Sequence, residues 1–369
     1  MEVLLCGLDL QEFPSHLLKP TNNTNDNTQQ QFETVSCLDL SCNSLTTLPN
    51  SLEHLTNLKV LNLSDNSLGT ETILTTRFPS SLEVLILNGN QISEIPISAF
   101  PKSLRRLHLS GNKISTLPMD LDTLTSLKEL YLGQNHLSVI DSNLLFPSNL
   151  EVLYLGGNQL TTIPQTIGFL PNLKLLSLND NLIKALPPTF VQLSNLEILH
   201  LHKNKLTFLP VEILGIRKLK QLTVRQNPLL TQFADNMHHH LPSLKELSGR
   251  TIKKHKISYQ KENLPKEVSQ YLESSKECLG CAGAYFGDSC LSHVEFIDMC
   301  GSYRVPFLNF LCSEKCKKEE SQESQEPSFS RVVRLRKILL DKYAPSSSTT
   351  MEVLEKEIIK NEEYFDDLI

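Results

Sequence analysis

Six of the nine cysteines lie close together near the end of this 369-residue chain, and their spacing suits metal binding. Cys278-x-x-Cys281 and Cys312-x-x-x-Cys316 form two pairs within this segment. Paired thiolates on tight turns are typical ligands of tetrahedral zinc, which also stabilises segments too small to have a core of their own. We therefore predict a structural zinc site formed by these four cysteines. The residues that could replace one of them are Cys290, Cys300 and His293.

A second pattern precedes the cysteines, in a segment with the periodicity of a helix. Ser243, Leu244, Ser248 and Ile252 follow the spacing Ser-Leu-x-x-x-small-x-x-x-Ile, and Leu247 lies on the same side. This spacing resembles the BC box, the helix by which SOCS-box proteins bind Elongin C, with Ser248 where cysteine is usual. The alternative is a helix that only closes the exposed core of the preceding part of the chain.

The next segment begins with Leu264-Pro265, and Val268 and Leu272 follow one helical turn apart. A proline at this place suits the start of a helix. The spacing resembles a cullin box, and it follows the first segment at a separation similar to that in SOCS-type proteins. Glu267 stands where the cullin-5 version has a second proline. The pattern thus favours cullin-2 and leaves cullin-5 open.

A regular repeat fills the chain before these segments. Each repeat carries the pattern L-x-x-L-x-L-x-x-N-x-L, at intervals of 22–24 residues. Its nine asparagines are Asn43, Asn66, Asn90, Asn112, Asn135, Asn158, Asn181, Asn204 and Asn227. This pattern is typical of leucine-rich-repeat solenoids. We predict an α/β fold, a solenoid of nine repeats with a parallel sheet on its concave face, followed by a small helical and Cys-rich module.

The repeat has a simple physical basis. L-x-L is a short strand with both leucines facing inward, and neighbouring repeats must stack because no single repeat can bury them. The asparagine side chain satisfies backbone groups that the bend would otherwise bury without partners. The repeat after Asn66 lacks the apolar-Pro pair, so we expect an irregular convex side there. Leu8-Asp9-Leu10 and Phe13-Pro14 resemble a degenerate half-repeat that caps the open end.

The residue between the two strand leucines points away from the core, onto the face that we call the concave face. In several repeats this residue is aromatic or apolar, and an arginine flanks it. The candidate contact residues are Ile86, Arg106, His108, Tyr131, Tyr154 and His200. Aromatic and arginine side chains among polar neighbours are typical of protein-interface hot spots. The pattern brings together no nucleophile, base and orienting acid, so we expect protein binding and no catalysis.

Composition excludes several other classes of protein. The net charge is -6 and the isoelectric point is about 6.0, which argues against a nucleic-acid binder. No apolar run reaches the ~18 residues of a membrane-spanning helix. The first nine residues lack the basic start and the apolar stretch of a secretory signal. We therefore expect a cytoplasmic protein with reduced thiols, and a nuclear location is also possible.

The order of these features predicts five segments. Residues 1–34 form the half-repeat cap and an Asn/Gln-rich loop, and residues 35–240 form the repeats. The BC-box-like and cullin-box-like helices occupy 241–275, and the Cys-rich module occupies 276–317. Residues 318–369 are a charged linker with two amphipathic tail helices.

One known family combines these features. Beyond the repeats, the chain contains Phe296-Ile297-Asp298-x-Cys300-Gly301 and Leu311-Cys312-Ser313-x-x-Cys316. With the preceding helices, these motifs resemble the leucine-rich repeat-containing protein 58 family over roughly residues 33–317. The resemblance implies a substrate receptor that recruits Elongin B/C and cullin-2 or cullin-5. The alternative is a scaffold without a role in ubiquitin transfer, which binds Ras-type GTPases or phosphatases.

Overall fold

The computed structural model describes residues 2–13, 35–230, 244–255, 264–278, 283–286, 291–300 and 302–311, and five single residues, 257, 259, 281, 316 and 339. The chain divides into two compact units. Unit 1 comprises Met1–Leu230 with Met299–Tyr303, and unit 2 comprises Thr231–Asp298 with Arg304–Ile369. The Asn/Gln-rich loop and the tail helices predicted above lie outside the described residues, apart from Leu339, which is buried.

Unit 1 is built on one parallel sheet, whose ten described strands follow each other in chain order. They are β1 (Glu2–Leu4), β2 (Cys37–Asp39), β3 (Val60–Asn62), β4 (Val84–Ile86), β5 (Arg106–His108), β6 (Glu129–Tyr131), β7 (Val152–Tyr154), β8 (Leu175–Ser177), β9 (Ile198–His200) and β11 (Gln221–Thr223). Another short strand, β10 (Leu209–Pro210), lies between the last two in the sequence. The predicted leucine-rich-repeat solenoid is thus confirmed.

Stacked leucines and asparagines hold neighbouring repeats together. Leu107, Leu130 and Leu153 lie in register at the centres of β5, β6 and β7, and each is fully buried. Beside them, the buried side chain of Asn158 donates to the carbonyls of Leu132 and Leu155. Because Leu132 belongs to the preceding repeat, each asparagine bonds its own turn to its neighbour.

The convex side consists of short helical turns. Most are 3-10 turns, namely Asn50–His54, Ile97–Ala99, Leu121–Thr123, Gln165–Phe169, Pro188–Gln192 and Val211–Gly215. The repeat after Asn66, which lacks the apolar-Pro pair, has an α-helix, α1 (Thr70–Thr75), which buries Ile73. Its departure from the repeat pattern therefore corresponds to a different local structure.

The N-terminal turn differs from the expected half-repeat. The strand there is β1, at Glu2–Leu4, and it pairs in parallel with β2. Leu8 and Leu10 form no strand, and their backbone N–H groups donate to the side-chain oxygen of Asn43. Phe13, from the same predicted half-repeat, is buried. The sheet therefore has one strand more than the nine repeats predict, because the L-D-L motif follows the strand instead of forming it.

Unit 2 contains two helices, α2 (Leu244–Lys254) and α3 (Lys266–Glu273). It also contains strands that the predicted helical and Cys-rich module did not include. They are β12 (Lys276–Glu277), β13 (Ala284–Tyr285), β14 (Leu291–Met299) and β15 (Ser302–Leu311), the last pair reaching into the short part of unit 1. Strands β12 and β13 pair antiparallel, and β14 and β15 lie side by side.

Candidate functional site

The predicted contact residues of the concave face lie on adjacent strands in one register. Ile86, His108, Tyr131 and Tyr154 occupy the last positions of β4, β5, β6 and β7, and each is half-buried. His200 occupies the same position two strands further along, and the exposed Arg106 begins β5. The parallel pairing therefore brings four of the six predicted residues together and leaves His200 apart.

Three of these side chains form a continuous row of rings, which we call the aromatic row (His108, Tyr131 and Tyr154). The ring centroids of His108 and Tyr131 are 4.2 Å apart, with planes 14° from parallel. Those of Tyr131 and Tyr154 are 6.3 Å apart, at 30°. Stacked rings of this kind offer large apolar area at a low cost in side-chain entropy.

A glycine makes room for the end of this row. A Cβ atom on Gly133 would lie 2.5 Å from Cε1 of Tyr154, closer than any side chain can approach. The Tyr154 ring therefore lies directly against the backbone of Gly133, in the space that a side chain would otherwise occupy. Alignment of the repeats could have identified this position, because it is occupied by another small residue in earlier repeats, namely Ser41, Ser64 and Ser110.

Charges beside the aromatic row adjust its protonation. Glu129 accepts a hydrogen bond from the hydroxyl of Tyr131 at 3.1 Å and pairs with Arg106 at 3.4 Å. Burial lowers the pKa of His108 below its ordinary value of 6.5, although the negative charge of Glu129 acts to raise it. Burial and Glu129 both raise the pKa of Tyr131. At neutral pH the stacked pair is thus uncharged, which suits an apolar contact surface.

Ion pairs line the edge of the sheet where the strands begin. Glu151 accepts hydrogen bonds from Lys128 at 2.8 Å and Lys174 at 2.7 Å, one from each neighbouring repeat. These hydrogen bonds lower the pKa of Glu151 to about 2. Because these ion pairs are open to solvent, they fix the positions of the charged side chains along this edge but contribute little to the stability of the fold.

Two hydroxyl groups of the described concave face lie near histidines, and one of them, the half-buried Thr223, lies 3.1 Å from Nδ1 of His202. Ser177 lies in register with His200, but its side chain is fully buried and its hydroxyl donates to Asn179. A nucleophile needs both access and an adjacent base. Among the described residues of this face, neither hydroxyl combines with both a base and an orienting carboxylate.

Helix α2 has one buried side and one exposed side. Glu246 and Gly249 are buried, whereas Ser248 is exposed and Leu247 is 45% exposed. Ile252 is half-buried. The predicted Elongin-binding residues Ser243 and the side chain of Leu244 lie outside the described residues. We call Leu247, Ser248 and Thr251 the exposed face of α2.

A set of contacts inside unit 2 holds the buried side of α2. The carboxylate of Glu246 pairs with Arg250 at 2.6 Å and accepts the backbone N–H of Phe286 at 3.4 Å. The ring of Phe286 stacks on Tyr271 of α3, with centroids 4.7 Å apart. The Lys245 ammonium lies 4.2 Å from the centre of the Tyr271 ring. The Glu246–Arg250 pair lies within one turn of the helix, whereas the contacts of Phe286 and Tyr271 join residues that are distant in the chain and could not be identified from the sequence pattern.

The predicted cullin-binding residues, which lie on α3 and just before it, differ in their exposure to solvent. Pro265 immediately precedes the helix and is exposed, and Val268 is 38% exposed. Leu264 is half-buried, and Leu272 is only 3% exposed. Of the four residues, Pro265 and Val268 are therefore the most accessible to a partner.

Three of the four predicted zinc ligands converge. The sulfur atoms of Cys278, Cys281 and Cys316 lie within 4.8 Å of one another. Cys278 and Cys316 are buried and Cys281 is exposed. Cys312, the fourth predicted ligand, lies outside the described residues. Thiolate ligands at this separation could hold a metal ion, and three sulfur ligands favour zinc over magnesium or calcium.

Family models agree with the repeat geometry. A model described as leucine rich repeat matches residues 80–137, 125–183, 148–206 and 171–229, and a second such model matches 34–55 and 57–78. Together with the parallel sheet, these matches show that the chain belongs to the leucine-rich-repeat family. Proteins of this family are typically protein-binding scaffolds without catalytic activity.

Curated relatives are similar to part of this chain. The chain is 38% identical over 96 residues to leucine-rich repeat-containing protein 58 of Xenopus tropicalis, covering 26% of this chain and 27% of that protein. It is 41% identical over 88 residues to the Homo sapiens protein of the same name, covering 23% and 24%. The expected resemblance to the leucine-rich repeat-containing protein 58 family is thus confirmed. The matched parts span about a quarter of these two relatives' lengths.

The comparison with solved structures found partial backbone similarity to several chains. One is an octameric complex of Latrophilin 3, Unc5D and FLRT2, with 29% identity, a TM-score of 0.49, and coverage of 63% of this chain and 68% of that one. Another is YopM from Yersinia enterocolitica, with 30% identity, a TM-score of 0.41, and coverage of 53% and 38%. Among the described residues, no helix is long and apolar enough to cross a membrane.

Proposed function

We propose that this chain is the substrate receptor of a cullin-based ubiquitin ligase. In this proposal the concave face binds the substrate protein, the exposed face of α2 binds Elongin C, and the start of α3 contacts the cullin. Any transfer of ubiquitin belongs to the recruited partners. The observation that carries the proposal is the orientation of α2, which buries Glu246 and Gly249 and leaves Leu247 and Ser248 exposed.

The concave face supports the recognition half of the proposal. The aromatic row supplies rigid apolar area at the centre of the sheet, and Arg106 and Glu129 supply polar contacts beside it. Interfaces gain most of their binding energy from a few such aromatic and arginine residues within a polar rim. The substrate is therefore expected to contact β5, β6 and β7 first.

The exposed face of α2 supports the docking half. Leu247 is 45% exposed and therefore accessible to a partner helix, and its place in the BC-box-like spacing distinguishes it from single exposed leucines elsewhere. The small residue Ser248 beside it permits another helix to approach closely. The resemblance to the leucine-rich repeat-containing protein 58 family, with its implied Elongin B/C and cullin partners, points the same way.

The cysteine cluster adds a structural cofactor to the proposal. We assign one zinc ion to Cys278, Cys281 and Cys316, with Cys312 as the fourth ligand. Zinc bound by four protein ligands leaves no open position for a substrate, so its role is to stabilise the module.

Substitution of Leu247 tests the docking half. Leu247→Asp places a charge on the exposed face of α2, and we expect it to weaken co-purification of Elongin C at least ~10-fold, because a buried interface charge is costly. The matched control is Leu182→Asp in the repeats, since the exposed fractions of Leu182 and Leu247 are 42% and 45%. The control variant should retain Elongin C. Unchanged binding of Elongin C by Leu247→Asp, or none by the unaltered chain, would contradict the proposal.

The same purification separates the proposal from the alternative scaffold function. Mass spectrometry of the bound proteins should find Elongin B, Elongin C and a cullin with the unaltered chain. Recovery of a Ras-type GTPase or a phosphatase without any cullin would favour the scaffold. The identity of the cullin also decides between cullin-2 and cullin-5.

A further inference from the structure

The cysteine cluster belongs to a small buried core that closes the β12–β13 hairpin. Cys278, Tyr285, Leu311 and Cys316 pack together, each at most 4% exposed. The backbone N–H of Cys278 donates to the carbonyl of Gly283 at 2.9 Å. The paired strands then bring Tyr285 opposite Lys276. The position of Tyr285 is therefore tied to that of the cysteine sulfurs.

The next residue carries this connection to both helices. Phe286 is 1% exposed, and its ring stacks on Tyr271 of α3. The same ring packs against Gly249 of α2, where an added Cβ would lie 2.9 Å from it. Its backbone N–H reaches Glu246. Phe286 is thus a single residue in contact with α2 and α3 and adjacent to the cysteine core.

The contacts of Phe286 also stabilise the buried carboxylate on α2. Glu246 is a carboxylate that is 4% exposed, and it has Arg250 and the Phe286 N–H as partners. A buried charge that loses a partner is strongly destabilising. If the hairpin opened, Glu246 would lose the Phe286 N–H and keep only Arg250, and the side of α2 that packs on Phe286 would become exposed.

We propose that metal binding by the cysteines sets the arrangement of α2 and α3 through Phe286. With Zn²⁺ bound, the hairpin is closed, Phe286 lies between the helices, and the exposed face of α2 points outward. Without the metal, the hairpin opens and both helices lose their packing. In small modules metal binding is a large part of the folding free energy, which makes such coupling strong. The proposed function enters only in saying what docks on α2.

Hydrogen exchange on the full chain tests this coupling. The probe is Zn²⁺, measured by metal analysis, and it is removed with a chelator in the presence of a reductant. Removal should lower the protection of 244–254 and 266–273 at least ~10-fold, and added Zn²⁺ should restore it. Peptides from 57–206 serve as the internal control and should not change. Helices that keep their protection after complete zinc removal would overturn the proposal, as would a chain purified with a disulfide among these cysteines and no metal.

A variant separates the coupling from loss of the metal itself. Phe286→Ala leaves every cysteine in place, so the chain should still bind one Zn²⁺ while α2 and α3 lose protection. The control is Phe169→Ala, because Phe169 is 57% exposed and belongs to unit 1. Full protection of α2 in Phe286→Ala would overturn the proposal.

Binding of Elongin C distinguishes this proposal from the proposed function. If both hold, chelation and Phe286→Ala each weaken Elongin C binding about as much as Leu247→Asp does. If the unaltered chain does not bind Elongin C but the exchange results appear as expected, the proposed function fails and the coupling stands.

Discussion

The repeats and unit 2 reach their structures in different ways. In the repeats, equivalent residues meet at every step, as Leu107, Leu130 and Leu153 do, and the same asparagine bonds recur. In unit 2, the decisive contacts occur once, such as the bond between Glu246 and Phe286, 40 residues apart in the chain. A repeating contact distributes stability over many equal positions, whereas single contacts concentrate it on a few residues.

This difference explains where each region can be regulated. Loss of one repeat contact leaves the neighbouring ones in place, so the concave face is a constant surface. In the coupling proposed above, unit 2 depends on the cysteine cluster and on Phe286, so a change at either site affects both helices. We therefore expect recognition to be permanent and docking to be conditional.

The largest effect is expected from substitution of a buried asparagine in the repeats. Asn158→Ala removes hydrogen bonds to the carbonyls of Leu132 and Leu155 and from the N–H of Leu137, all buried. At roughly 1 kcal/mol for each bond, the free energy of unfolding should fall by about 3 kcal/mol. Denaturant unfolding of unit 1 measures this change.

The control for that experiment is an asparagine of the same type on the surface. The side chain of Asn149 bonds the carbonyl of Thr125 in an exposed position, so Asn149→Ala should cost under ~0.5 kcal/mol. Hydrogen exchange in 266–273 should be the same in both variants. A loss of protection there in Asn158→Ala would break the contrast between the two regions, since it would mean that they unfold together.

A smaller effect is expected from removal of the aromatic row. Alanine at His108, Tyr131 and Tyr154 together should weaken substrate binding roughly 10- to 100-fold, because these rings form the centre of the surface. Each is half-buried on the strand edge, so the solenoid should remain folded by circular dichroism. Elongin C binding by this variant should be unchanged. Equal loss of both partners would show that recognition and docking are not separate.

The smallest effect concerns the protonation of His108. Burial lowers its pKa, so an NMR titration of the folded chain should have a midpoint below 6.5. Because the unfolded chain binds this proton more readily, the contribution of neutral His108 to the free energy of unfolding decreases as the pH falls through 6.5. Glu129→Gln should lower the midpoint further, since Glu129 favours the charged ring. A midpoint above 6.5 would contradict this account of the aromatic row.

Much of the candidate site on the concave face could be predicted from the sequence. The spacing of the repeats places Ile86, His108, Tyr131 and Tyr154 on one face, and the structure has them in one register. The stacking of the rings and the clearance over Gly133 could not be predicted, because they depend on side-chain torsions. The extra N-terminal strand was also beyond prediction, because Glu2–Leu4 carries no asparagine or paired leucines of its own.

In unit 2 the sequence determined the residue types and the helices but not which sides they bury. Cys278, Cys281 and Cys316 could be selected by spacing alone, and they converge. Both helices start close to the predicted positions, whereas the burial of Leu272 and the contact of Glu246 with Phe286 became visible only in the tertiary structure. The physical reason is periodicity. In a repeat array, residues that contact each other are separated by a constant number of residues in the sequence. A single buried contact has no such regularity, because it depends on how the folded backbone brings two distant residues together.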